Sequence, residues 1–297
     1  MVAADRAQAS LTVAERHLNI ELPQACEVLL DLPEYRPFLV TPGDPHGCLR
    51  VHWVGQAELH ADWVSRSLAR GHPFEYRPIL NCSTVRQRYL TRQPDELYLL
   101  DLAVADFLQP STWTMESFAF PPVDVARYLR GRIFCLLASH LAASEGLLLH
   151  GSGFVIDGIA AAAIGPCDAG KTTAARLIRG DRLLSDDVVA VTDVGTQPRL
   201  HATPLGRESD GLGSAPLRAI FFPRKQATFS LQPLTARQAL IRSAAEQADT
   251  FQSLFNPYGG LAVRNLGRLL RKVPAYELGF SLDGIDREAI RRVLSES

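Results

Sequence analysis

Apolar and polar positions divide the chain into a β-rich first part and a mixed second part. In Leu49-Arg50-Val51-His52-Trp53-Val54 the two classes alternate, which is the two-residue period of a half-buried strand. Glu96-Leu97-Tyr98-Leu99-Leu100 is a second short apolar stretch, and helical character is confined to residues 62–69. After Pro121-Pro122 the period lengthens. Val125, Leu129, Ile133, Leu136, Leu137 and Leu141 recur at three- and four-residue intervals and predict a long amphipathic helix over 123–143, at the seam between the halves. Residues 146–151 predict a strand ending in a turn, and the apolar runs 153–156 and 159–164 flank Asp157-Gly158, a strong hairpin signal. A helix is expected over 171–179, with Gly180 as its C-cap, followed by strands at 182–185 and 188–192. The Gly- and Pro-rich stretch 195–216 reads as a loop suited to a lid or an acceptor clamp. A strand at 217–222, helices at 235–255 and 261–271, a strand at 275–278 and a helix at 286–294 complete the pattern. The expected class is α/β with a mixed sheet, divided into an N-terminal, mainly β accessory region (1–120) and a second domain (121–297).

Composition narrows the function classes. With 297 residues, 46% apolar and 21% charged, the chain can bury a core without disulfide or metal support. A net charge of -1 gives no general attraction to phosphate backbones or anionic lipid, so neither a nucleic acid nor a membrane is expected as partner. Cys26, Cys48, Cys82, Cys135 and Cys167 are odd in number and scattered, which fits a reducing, cytoplasmic setting. Residues 1–20 lack the pattern of a signal peptide. His46, His52, His60 and His72 match no familiar metal-ligand spacing and read as structural.

The chemistry concentrates after residue 150. Gly165-Pro166-Cys167-Asp168-Ala169-Gly170-Lys171-Thr172 fits the G-x-x-x-x-G-K-[ST] pattern of a phosphate-binding loop, with Thr173 next to it in the first helical turn. Glycines let backbone N–H groups turn towards phosphate oxygens at a helix N-terminus, where the dipole favours negative charge. Lys171 would reach the β- and γ-phosphates, and the Thr172 hydroxyl would ligate a metal ion. The pattern also arises in incidental loops, and its context, strand before and helix after, is what favours a nucleotide site. Asp186-Asp187 ends a strand a short helix further on, where a metal-binding carboxylate belongs in phosphoryl-transfer sites. Neighbours on a strand face opposite ways, so one aspartate can hold the metal while the other faces an acceptor; a pair of turn aspartates is the alternative. His150, at a strand end, reads either as a satisfied structural residue or as part of the site.

Residues 150–187 resemble the catalytic domain of HPr kinase/phosphorylase and the HPr-kinase-like proteins of peptide-modification clusters, including lasso-peptide kinases. The resemblance lies in His150-Gly151 before a hairpin, the hairpin before the loop, and Arg179-Gly180-Asp181-Arg182-Leu183-Leu184-Ser185-Asp186-Asp187 after the loop-helix pair. It implies a phosphoenolpyruvate-carboxykinase-like fold with a mixed sheet wrapped around the loop's helix, ATP as phosphoryl donor and Mg²⁺ as cofactor. It further implies Asp186 as general base, Asp187 as magnesium ligand and His150 as a partner of Asp186. The implied acceptor is a hydroxyl, Ser of a peptide or protein before a small molecule; a homo-oligomer is left open. The family's Glu-x-Arg-Gly-Leu-Gly run is missing, and residues 201–208 stand in its region, with Glu208 as candidate metal carboxylate and Arg207 as candidate charge. The N-terminal half does not resemble the family's regulatory domain. A nucleotide-binding regulatory or assembly module with little phosphotransfer is the alternative function. Carboxykinase-type decarboxylation lacks a recognisable basic cluster for its substrate.

Overall fold

The computed structural model describes residues 6–23, 32–41, 43, 45, 47–53, 79–81, 84–93, 96–106, 113–119, 125–166, 168–178, 180–206, 208–247, 258–282 and 284–296. The helix expected at 62–69 lies outside the described residues, as do His46, His60, His72, Cys26, Cys82, Cys167 and Arg207. The chain forms two compact units, residues 1–12 with 16–136 and residues 13–15 with 137–297.

The first unit is built from β1 (Arg6–Val13), β2 (Arg16–Pro23), β3 (Leu39–Val40), β4 (Gly47–Trp53), β5 (Ile79–Asn81), β6 (Thr84–Gln93), β7 (Glu96–Asp106) and β8 (Trp113–Ala119). Five strands form a sheet in the order β3-β1-β2-β4-β8, and β5-β6-β7 form another. Leu11, Leu18, Ile20, Phe38 and Leu49 are buried there. Tyr35 is buried as well, and desolvation pushes its phenol up to about 12. Strands β1 and β2 meet at Ala14-Glu15, both with positive φ (50° and 63°), in a two-residue turn that carries none of the usual Gly or Asn signals.

The second unit follows the helix α1 (Val125–Ala143), which begins in the first unit. In chain order come β9 (Leu147–Ile156), β10 (Ile159–Ile164), α2 (Lys171–Ile178), β11 (Arg182–Ser185), β12 (Val188–Thr192), β13 (Arg199–His201) and β14 (Ser214–Lys225). Then follow β15 (Ser230–Leu234), α3 (Ala236–Glu246), α4 (Tyr258–Lys272), β16 (Ala275–Phe280) and α5 (Arg287–Glu296). Strand β14 runs parallel to both β10 and β16, and the other pairs are antiparallel, so the fold is α/β with a mixed sheet. Pairing runs from β10 to β9, β12, β13 and β14, and β14 pairs again with β10, so the sheet closes into a ring. No helix among the described residues is long and apolar enough to cross a membrane.

Strands β9 and β10 form the expected hairpin, turning at Asp157 (φ 51°) and Gly158 (φ 77°). Ala160 to Ala163 of β10 are fully buried, and their small side chains let α2 pack closely. Ala174, Ala175 and Ile178 of α2 join Phe154, Phe221 and Phe280 in one apolar cluster. Burying such side chains stabilises by about 25 cal/mol per Å² of apolar surface, which fixes α2 against the end of β10.

Several expectations change. Strand β9 does not turn at Gly151 but runs straight through Gly151-Ser152-Gly153. These glycines serve close approach: a Cβ on Gly153 would lie 2.8 Å from both Leu200 and Val189 side-chain carbons. Gly180 is not a left-handed C-cap either; a Cβ there would collide with the Val155 carbonyl, which accepts from the Asp181 N–H at 2.8 Å. Helix α1 is buried all round over residues 135–142 rather than on one face. The stretch 195–216 contains β13, and residues 200–206 are buried, with the Thr203 hydroxyl donating to the Val188 carbonyl at 2.7 Å. Strand β14 continues through Pro223, and β15, an edge strand containing Pro233, was not anticipated. Helix α3 starts at a reciprocal capping box between Thr235 and Gln238; the rest of the helix expected to residue 255 lies outside the described residues.

Candidate functional site

Strand β10 delivers the chain to Gly165, and α2 begins at Lys171, so residues 165–170 form a short loop at a helix N-terminus. Asp168 (φ 64°) and Gly170 (φ 92°) take left-handed conformations that curl the loop. Pro166 and Asp168 are exposed, whereas Ala169, Thr172 and Thr173 are half-buried. Lys171 is only 8% exposed, because its ammonium folds back over the loop and donates to the Gly165 and Pro166 carbonyls, both at 2.8 Å. Lys171 thus closes the loop on itself, and an incoming anion would exchange phosphate oxygens for those two carbonyls.

Asp186, 5% exposed, accepts from the Thr172 hydroxyl at 2.7 Å and from the Ser152 hydroxyl at 2.8 Å, both at Oδ1. These hydrogen bonds stand in for water that burial takes from the carboxylate. Asp187 has φ 99°, which turns its carboxylate away from that of Asp186 and towards His150, whose Nε2 lies 3.1 Å from Oδ1. The Asp187 carbonyl accepts from the Gly151 N–H at 2.9 Å, which ties the strained residue to β9. The expectation that His150 would partner Asp186 is therefore corrected: His150 meets Asp187.

Glu208 is also placed differently from the expected metal set. Its backbone bridges to Asp186, with the Asp186 N–H donating to its carbonyl at 2.8 Å, but its carboxylate turns outward to Arg176 at 2.5 Å. That hydrogen bond raises the Arg176 pKa above its ordinary value. Among the described residues, no three His, Cys, Asp or Glu side chains converge as a metal site. A hydroxyl and a carboxylate do converge at Thr172 and Asp186. This pair fits magnesium, which commonly takes one or two carboxylates and fills its remaining positions with phosphate oxygens and water.

Sequence reading missed Gln247, which is fully buried at the end of α3. Strand β10 pairs with β9 only as far as Ile164 opposite Gly151, because the chain leaves at Gly165 to form the loop. The Gln247 side-chain amide takes the vacated place: its Oε1 accepts from the His150 N–H at 2.7 Å, and its Nε2 donates to the His150 carbonyl at 2.9 Å. It thereby holds the backbone that carries the imidazole. Gln247→Ala would leave both backbone groups unpaired, at a cost of about 1–3 kcal/mol. The expected result is a lower urea midpoint; an unchanged midpoint would show that the amide bonds are dispensable. Ser152, whose hydroxyl meets Asp186, belongs to no motif that would single it out in the sequence.

No protein-family model matches the chain, and no curated protein matches it.

Proposed function

We propose that the protein is an ATP-dependent kinase of the HPr-kinase-like kind, transferring the γ-phosphoryl group to a hydroxyl, with Ser of a peptide or protein as acceptor. The observation that carries this reading is the split of two neighbouring carboxylates: Asp186 bonded to Thr172 behind the loop, Asp187 turned to His150. A module that only binds nucleotide needs the first arrangement and has no use for the second. The hairpin, loop and helix in this order, on a mixed sheet, also suit the phosphoenolpyruvate-carboxykinase-like fold that the resemblance implies.

In this reading the backbone amides of the loop and the Lys171 ammonium hold the triphosphate. Thr172 and Asp186 would hold magnesium, which when bound supplies charge neutralisation across the β- and γ-phosphates. The acceptor oxygen attacks the γ-phosphorus, the bond from that phosphorus to the ADP oxygen breaks, and the hydroxyl proton passes to Asp187. His150 orients the Asp187 carboxylate. This reading exchanges the two roles implied by the resemblance, with metal binding at Asp186, which meets Thr172, and the base at Asp187, which faces His150. Positioning and electrostatics carry most of the acceleration in such transfers. Acceptor recognition falls to residues 1–120, since the loop, both aspartates and His150 all lie in the second unit.

The test is transfer from γ-labelled ATP with Mg²⁺ to a panel of Ser-containing peptides, including peptides ending in Ser, and small hydroxyl compounds. Label on an acceptor hydroxyl is the expected result. Tight ATP binding with no labelled acceptor would overturn the kinase reading in favour of a regulatory or assembly module.

A further inference from the structure

A cleft of about 310 Å³ opens at the other end of the sheet from the Gly165–Thr172 loop. The loop follows the C-terminal end of β10, whereas the cleft is lined by Pro216, Leu217 and Arg218 early in β14 and by Lys272, Val273 and Pro274 just ahead of β16. Three cations face it, Arg199, Arg218 and Lys272, and among the described residues no carboxylate lines it. Arg199 is anchored, its Nη2 donating to the Ser214 hydroxyl at 2.9 Å, which leaves its other N–H donors for a ligand. Arg218 and Lys272 are exposed and make no hydrogen bond or ion pair among the described residues.

Lys272 stands in the last turn of α4, where the helix dipole favours a cation without any ligand. That explanation does not reach Arg199 or Arg218, which stand on strands. Like charges gathered without a counter-charge repel one another, and in a chain of net charge -1 they do not reflect a generally basic surface. Arginine's planar fork suits the oxygens of a carboxylate or phosphate. Between the cations the walls are apolar: Pro216, Leu217, Val273 and Pro274.

We propose that this cleft binds a small organic dianion, with its oxyanion group between Arg199, Arg218 and Lys272 and its carbon body against the proline walls. The site is separate from the nucleotide loop, and the assignment stands whether or not the chain transfers phosphate. Phenyl phosphate and phthalate are suitable probes, titrated into the full-length chain and followed by amide NMR. Saturable shifts at the non-proline residues of 196–199, 216–218 and 272–274 are expected from at least one probe. Arg218→Ala with Lys272→Ala should weaken that binding by about tenfold or more, as expected for the loss of two charge-assisted contacts. The same double variant should leave ATP affinity and thermal stability unchanged. A response to phenyl phosphate alone assigns a phosphate ester, to phthalate alone a dicarboxylate, and to both the shared oxyanion chemistry. Shifts confined to the loop, absence of saturation with either probe, or undiminished binding in the double variant would each overturn the proposal.

Discussion

Replacing Lys171 by alanine is expected to weaken Mg-ATP binding by about a hundredfold or more, the loss of two charge-assisted phosphate contacts at about 1.5–3 kcal/mol each. The ammonium lies over the loop that it would serve. It bonds to two of the loop's carbonyls, so taking up a phosphate would need rotation of one side chain rather than rebuilding of the backbone. Alanine removes both the charge and the clasp. Lys171→Met separates the two effects from loss of the stem, since it keeps most of the aliphatic chain but no donor. Calorimetric titration with Mg-ATP, beside a thermal melt of each variant, is the measurement. Wild-type affinity in a folded Lys171→Ala chain would remove the loop from the nucleotide site altogether.

The two aspartates are expected to fail in different ways. Asp187→Asn should bind Mg-ATP normally and lose transfer by about 10²–10⁴-fold, the usual worth of a positioned general base. Its amide can still meet His150 but cannot accept the acceptor's proton. Asp186→Asn should instead raise the magnesium concentration needed for nucleotide binding, because Thr172 and Ser152 would face a neutral group where a carboxylate stood. Full transfer by Asp187→Asn would sink its assignment as the base. If Asp186→Asn alone lost transfer while its magnesium dependence stayed put, the roles would revert to those of the family resemblance.

Much of the architecture around the site could be read from short-range pattern. Asp157-Gly158 between apolar runs named the hairpin, because type I′ turns need positive φ at both positions and these residues supply it cheaply. The loop was legible for a similar reason, since glycine and lysine spacing encodes backbone curvature and charge together. His150 and Asp187 were placed in the right neighbourhood but paired wrongly. Alternation along an ideal strand cannot foresee φ 99° at a non-glycine residue, and that single angle decides which carboxylate meets the imidazole. Gln247 was invisible for another reason: it lies 97 residues from His150 and imitates a peptide group, so nothing local distinguishes it from any other helical glutamine. The Ala14-Glu15 turn and the proline-containing β15 were missed because tertiary pairing overrode weak local preference.

The closed ring of strands also sets an order of events during synthesis. Strands β9 and β10 are neighbours in sequence and can pair within about 1–10 μs once both are free. The partner of β10 on its other side, β14, is made some fifty residues later, and the Gln247 that steadies His150 later still. Pairings between segments so far apart must overcome loop-closure entropy before they add stability, so they form slowly. A nascent chain therefore carries the Gly165–Thr172 loop long before the strand and the glutamine that complete its surroundings exist. That neighbourhood closes only when the last third of the polypeptide has docked.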